Sequence, residues 1–240
     1  FVMNLVVFKM SNVFDWRRGI VNRNFFIVRE LIRSGTFEQV VLVDFLAMRP
    51  VSRFFGLRRT ARYLRDCAGS LPMKKRLSAR HMHWNAAEVF GVKTPVQVFS
   101  GLGLYRSCKK DMELLTSLLH SHGFDDDNTL LWSYNAFLPQ AFDIPAANRV
   151  FDAVDDWSLH ASYRKEADLL RQNYKRIGRS AKQVFTVSEG LIKNFASSDA
   201  RWVPNGVDLD AFSRHQDVPG DMKGLRHPII GYVGTVQERI

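Results

Sequence analysis

Residues 2–8, Val-Met-Asn-Leu-Val-Val-Phe, are apolar at almost every position, whichever face of a strand they would occupy. Gln39 to Asp44 (Gln-Val-Val-Leu-Val-Asp) repeats the pattern and ends in an acid. A strand without a polar face has to be covered on both sides, which is the condition of a parallel sheet flanked by helices. The segment between the two strands supplies such a helix. Its apolar stripe runs through Phe25/Phe26, Val28 and Leu31/Ile32, Asn22 stands where an N-cap belongs, and Gly35 ends it. One strand–helix–strand unit of this kind commits the chain to an α/β fold.

The same alternation continues. Strands are expected at Val96–Phe99, Thr129–Tyr134, Arg149–Val154, Gln183–Val187 and Ala200–Val203. Helices are expected at Asp111–His122, Tyr163–Ile177 and Glu189–Ala196. The expectation is a Rossmann-like, doubly wound parallel sheet over residues 1–208, a linker over 209–226, and at 227–240 the first strand of a second Rossmann-like domain. Pro228-Ile229-Ile230-Gly231-Tyr232-Val233-Gly234-Thr235 reads as that strand running into a glycine loop. There the backbone N–H groups of Gly231, Gly234 and Thr235 can approach a phosphate. A start at Phe1 and a break shortly after Thr235 read as the ends of a fragment.

Of the 240 residues, 46% are hydrophobic, enough for a real core, but no apolar run reaches the ~18–20 residues of a membrane-spanning helix. The two cysteines, Cys67 and Cys108, lack metal-type spacing and fit free thiols in a cytoplasmic compartment. His81/His83 and His120/His122 have no third ligand at suitable spacing, so no metal is expected, and Gly101-Leu102-Gly103 is not a complete dinucleotide fingerprint.

Charge is concentrated. Between Arg49 and Arg80 lie ten basic residues against the single acid Asp66, so this stretch holds nearly all of the net charge of +10. Arg53, Arg58, Arg59, Arg62, Arg65, Lys74, Lys75 and Arg76 belong to it. On a helical wheel Phe54, Leu57, Ala61 and Leu64 share one side, and Arg58, Arg59, Arg62 and Arg65 cover the other. Two readings fit: a helix docked on the core with a solvated basic face, or one lying on an anionic membrane surface. A nucleic-acid partner fits less well, because aromatic-interleaved basic strands and a helix-turn-helix pattern are both missing.

Ligands of open parallel sheets bind beyond the carboxyl ends of the strands. That rule selects Asp15, Trp16, Arg17 and Arg18 after the first strand, with Arg23 close by. It also selects Tyr134 and Asn135, then Asp155, Asp156 and Trp157, then Ser188 and Glu189. Adjacent acids can accept a proton from a hydroxyl, hold the hydroxyls of a sugar or ligate a metal, and a Trp can stack on a sugar face. The alternative is that Asp156 or Ser158 simply caps a helix. The arginines suit phosphate or carboxylate, or else a solvated loop.

Four segments, taken in order, resemble the retaining GT-B glycosyltransferases often numbered family four. Phe151-Asp152-Ala153-Val154-Asp155-Asp156-Trp157 is similar to a segment of members that build bacterial surface polysaccharides. Val184 to Leu191 is similar to the family's strand–helix junction. Val203-Pro204-Asn205-Gly206-Val207-Asp208 resembles the element that closes the N-terminal domain, and Ile230 to Thr235 resembles the opening of the donor-binding domain. Trp16 and Arg23 match the first loop and helix less closely. The resemblance implies transfer of a sugar from a nucleotide-sugar donor to a lipid-linked or polysaccharide acceptor, with retention. It implies no cofactor or obligatory metal, since basic side chains and helix N-termini hold the leaving diphosphate. Asp155 and Asp156 would face acceptor hydroxyls, and the protein would work peripherally at the inner membrane face. The family's E-x7-E element has no counterpart up to Ile240, so the chain by itself is expected to be inactive. A sugar-nucleotide epimerase of the same fold is the rival enzyme, and a non-catalytic basic anion-binding module is the rival outside enzymology.

The basic stretch makes a direct prediction. Replacing Arg58, Arg59, Arg62 and Arg65 by Gln should weaken binding to vesicles containing anionic lipid at least about tenfold, at ~1 kcal/mol per Arg near the surface. Co-sedimentation that is unchanged in the variant would remove the membrane reading.

Overall fold

In the computed structural model the described residues are 3–11, 16, 19, 21–46, 77–78, 83–84, 87–93, 109–195, 199–213, 217–226 and 228–232. The chain separates into two compact units, Phe1–Asn205 and Gly206–Ile240.

The first unit is a layered α/β structure. Strand β1 (Met3–Phe8) leads through a loop into helix α1 (Arg23–Arg33), then into β2 (Phe37–Leu46). Short strands β3 (Leu77–Ser78) and β4 (His83–Trp84) precede β5 (Ala87–Lys93). Helix α2 (Lys109–Ser121) leads to β6 (Thr129–Ser133), and β7 (Asn148–Ala153) follows. Two short 3-10 segments and α3 (Ala167–Ser180) then connect to β8 (Gln183–Thr186). The one-turn helix α4 (Glu189–Ile192) and β9 (Ala200–Trp202) complete the unit.

The strands form one sheet in the order β3-β5-β2-β1-β6-β7-β8-β9, with β4 also paired to β5. From β5 to β9 every neighbouring pair is parallel, and only β3 and β4 run antiparallel. Strand order therefore reverses at β1, which has β2 on one side and β6 on the other. This is the doubly wound, Rossmann-like arrangement, and its switch point lies between β1 and β6.

Alternation along the strands explains the two cores. Leu5 and Val7 join Val40, Leu42, Trp16, Val28 and Tyr134 beneath α1. Val6 and Phe8 join Val41, Val43, Leu131, Phe151 and Val184 on the opposite face, covered by Leu115 and Leu119 of α2 and Leu170, Tyr174 and Ile177 of α3. Phe151 is the aromatic hub of this larger core, with ring centroids 6.1 Å from Phe142, 6.5 Å from Tyr174 and 5.6 Å from Phe195. The caps follow local chemistry. The Asn22 side chain accepts from the Phe25 amide at 3.3 Å. Gly35 takes φ +64° just past the end of α1, a left-handed position that glycine occupies without strain.

Most expected elements lie within a few residues of the observed ones. The expected helix from Tyr163 divides into a 3-10 segment, Ala161–Glu166, and α3, with Tyr163 off helical geometry at the junction (φ −118°, ψ 21°). The helix expected over Glu189–Ala196 is one α-turn followed by a 3-10 turn, Lys193–Phe195. Strands β3, β4 and β5 were not anticipated, and Val96–Phe99 lies outside the described residues.

In the second unit the described residues hold one short helix, Leu209–Phe212. Of the strand expected from Pro228, the described residues 228–232 are irregular, with Ile230 96% exposed, and Val233 to Thr235 lie outside the described residues. A single strand has no ladder for its backbone groups, so apolar residues alone do not make it form.

Removing the hub should therefore be costly. Phe151→Ala is expected to lower unfolding stability by about 3–5 kcal/mol, the range for an aromatic deleted from a packed core, measured as a shift in the urea midpoint at constant slope.

Candidate functional site

The carboxyl edge of β1, β6, β7, β8 and β9 gathers the described polar groups of interest. β6 runs into Tyr134 and Asn135, both about 1% exposed. The Asn135 side-chain oxygen accepts from the Phe137 amide at 3.0 Å, which turns the chain sharply toward the 3-10 segment Pro139–Asp143. Its Nδ2 is buried and makes no hydrogen bond among the described residues, and the same is true of Thr186 Oγ1 at the end of β8. Buried polar atoms without partners are uncommon in folded proteins and cluster where polar ligands are handled.

After β7 the chain turns through Asp155, Asp156 and Trp157. The Asp155 Oδ1 accepts from the Asp156 amide at 2.8 Å. Both oxygens of the Asp156 carboxylate are engaged in the loop: Oδ1 accepts from Ser158 N at 3.1 Å and Ser158 Oγ at 2.6 Å, and Oδ2 from Asn194 Nδ2 at 3.0 Å. Asp156 is thus the N-cap of the 3-10 turn Trp157–Leu159 and the tie to the segment after β8. Tyr174 secures the loop from behind, its hydroxyl accepting from Trp157 N at 3.0 Å and donating to the Asp155 carbonyl at 3.1 Å. Burial pushes the Tyr174 hydroxyl well up, so it stays protonated and able to donate.

Trp157 is half-buried in an aromatic group with Phe137 at 6.1 Å, His160 stacked at 5.7 Å and Tyr163 at 5.9 Å. His160 Nδ1 accepts from Ser162 N at 3.1 Å, an assignment that leaves Nε2 carrying the proton in the neutral ring.

A pair that sequence reasoning did not join lies on the α1 side of the sheet. Asp152, one residue inside the end of β7 and fully buried, accepts from Arg23 Nε through both oxygens, at 3.0 and 3.2 Å. Arg23 is the first residue of α1. Burial raises the Asp152 carboxyl to about 6 even against the Arg23 guanidinium, which pulls the other way. Tyr134 faces the same pair. Burial, reinforced by the Asp152 charge, holds its hydroxyl well above the ordinary phenol range, and that hydroxyl makes no hydrogen bond among the described residues. The separation of 129 residues between Arg23 and Asp152 hid the contact. An acid inside an otherwise apolar strand, Val150-Phe151-Asp152-Ala153, was the available signal, since a buried carboxylate requires a partner.

The remaining expected positions divide clearly. Trp16 is 4% exposed and packs in the core under α1, with its ring 5.6 Å from Phe25 and its Nε1 donating to Ser11 Oγ at 2.8 Å. Ser188 precedes α4 and, like Glu189, is exposed; it makes no side-chain cap bond. Gly231 is exposed in the second unit. Asp15, Arg17, Arg18, Gly234 and Thr235 lie outside the described residues, as does the whole basic stretch with Arg53, Arg58, Arg59, Arg62, Arg65, Lys74, Lys75 and Arg76. Among the described residues no group of three or more His, Cys, Asp and Glu is arranged to hold a metal ion, and no helix is long and apolar enough to cross a membrane.

The fold defines an α/β protein of Rossmann-like class, with the described polar side chains gathered at the carboxyl edge of its sheet. No family model matches the sequence, and no curated protein is significantly similar to it.

The raised Asp152 carboxyl has a signed consequence. The folded state holds this proton more tightly than the unfolded chain, whose carboxyl titrates near 3.8, so this contribution to stability is lost as pH rises from 3.8 through about 6. Its full size is ~3 kcal/mol. Asp152→Asn cannot titrate. Wild type should therefore lose stability relative to the Asn variant between pH 4.5 and 7, measured as the difference between their urea unfolding free energies; a constant difference would contradict it.

Proposed function

We propose that the first unit is the acceptor-side half of a retaining GT-B glycosyltransferase. It would bind a polyhydroxylated, lipid-linked or polysaccharide acceptor at the carboxyl edge of the sheet, and a nucleotide-sugar donor would be held chiefly by a second Rossmann-like domain. The observation that carries the reading is the Asp155–Trp157 loop. Two acids and an aromatic ring stand together at the end of β7, and Tyr174 and Asn194 brace the loop from the helix and the loop behind it. A rigid carboxylate beside an aromatic edge is the chemistry that recognises sugar hydroxyls.

Within this reading the two acids divide the work. Asp156 shapes the loop, because both of its oxygens accept from Ser158 and Asn194. Asp155 is the acid assigned to an acceptor hydroxyl, accepting its hydrogen bond and, in the full enzyme, assisting the departure of its proton. Buried donors at Asn135 and Tyr134 add polar complementarity along the same edge. Diphosphate stabilisation falls to basic groups and helix N-termini, with no metal required. The concentrated cationic stretch gives affinity for an anionic membrane surface, where a lipid-linked acceptor would be met.

The test is acceptor binding by the 240-residue chain, with lipid-linked oligosaccharides in detergent as probes, read by calorimetry alongside assays for released nucleoside diphosphate. Saturable binding, weakened about tenfold by Asp155→Asn and with no turnover, is the expected result. Robust sugar transfer by this chain alone, or binding indifferent to Asp155, would overturn the assignment. Isomerisation of a sugar nucleotide by the longer protein, without transfer, would favour the epimerase.

A further inference from the structure

Arg23 does more than neutralise Asp152. Its Nε is occupied by both oxygens of Asp152. Its Nη1 points the other way and donates to the Pro204 carbonyl at 3.0 Å and to Asn205 Oδ1 at 3.4 Å. One planar guanidinium thus touches the first turn of α1, the end of β7 and the turn that follows β9. That turn is where the first unit ends, at Asn205. Past β9 the turn has few other ties. Val203 N bonds to the Thr186 carbonyl at 2.8 Å, and residues 203–207 are exposed. Proline leaves Pro204 without a donor of its own, so its carbonyl is the backbone group through which the turn is held.

We propose that Arg23 is a positioning residue that latches the Pro204–Asn205 turn to the buried carboxylate of Asp152, and that protonation of Asp152 loosens the latch. The geometry requires Arg. Two edges of a rigid fork satisfy two partners in different directions, and a lysine ammonium placed on one cannot span both. The carboxylate does the anchoring: with a side chain only 10% exposed, Arg23 is held in place by an acid that is 0% exposed. Among the described residues, the charged and titratable groups facing Asp152 are Arg23 from α1 and Tyr134 just past β6, and its partner on β8 is Phe185. Tyr134 stays neutral through the physiological range, so the charge of the cluster changes there only at Asp152. The carboxyl titrates near 6, within reach of modest acidification. Protonation removes the ion pair, reduces the bifurcated Nε–H contact to a bond onto one oxygen of a neutral carboxyl, and loosens the hold that keeps the guanidinium on the turn. The inference concerns the path of the chain as it leaves the sheet, and it stands whether or not the unit binds a sugar.

Hydrogen exchange of the whole chain, read by mass spectrometry on the peptide spanning residues 199–209 and corrected for intrinsic rates, tests it. Arg23→Lys keeps the charge and removes the bridge, so it should speed exchange in that peptide about fivefold or more while leaving peptides of α3 unchanged. Asp152→Asn should do the same, and the double variant should add little to either single one, because both break one linkage. In wild type the protection should fall with a midpoint near pH 6, and Asp152→Asn should be flat. Wild-type exchange in Arg23→Lys, or additive effects in the double variant, would overturn the latch. A pH-independent protection in wild type would overturn its proton control. Should Asp152→Asn fail to fold, Arg23→Lys and the wild-type pH series decide both points.

Discussion

β1 has no face left for water. Leu5 and Val7 lie beneath α1, and Val6 and Phe8 lie beneath the helices of the other layer. Its two edges are taken by β2 and β6. A strand enclosed in this way demands helices on both sides, and right-handed crossovers then carry the chain outward in opposite directions from it. The reversal of strand order at β1 follows, with the switch point between β1 and β6. The polar groups at the carboxyl edge owe their proximity to this one constraint.

Placing charge beside that core has a cost. Burying Asp152 raises its carboxyl even with a guanidinium against it, so desolvation outweighs the attraction. Such a pair is weak evidence for stability and better evidence for specification. Arg23 fixes which way the first turn of α1 faces β7, and it reaches the turn beyond β9 as well. Asp156 illustrates the opposite economy. Half-buried at a loop, it engages local N–H and O–H donors and Asn194, and in doing so it ties the turn that carries Asp155 and Trp157 to the segment after β8.

How much was legible depended on range. Periodicity located β1, α1, β2, β6, β7, β8 and β9, because each is a local run whose apolar pattern needs no partner to be recognised. β5 escaped because Ala87-Glu88-Val89-Phe90-Gly91-Val92-Lys93 mixes polar and small residues, and its pairing with β2 supplies what its own pattern lacks. At the site, the crevice acids were visible as a dipeptide, and the capping alternative for Asp156 was visible as well. Trp16 was selected by its place after the first strand, and the structure packs its ring against Phe25 and Lys9.

The amino-acid sequence by itself determined a parallel α/β sheet and the edge of it where chemistry can sit. Both follow from local hydrophobic pattern and from the order of strands and helices. Only the tertiary structure decided which acid is buried, which is spent on the loop, and what Arg23 holds. Those outcomes depend on the pairing of residues 129 positions apart and on which face of β7 a side chain occupies. Water is excluded at Asp152 only when α1 and the sheet come together, and the need of its charge for a partner exists only then.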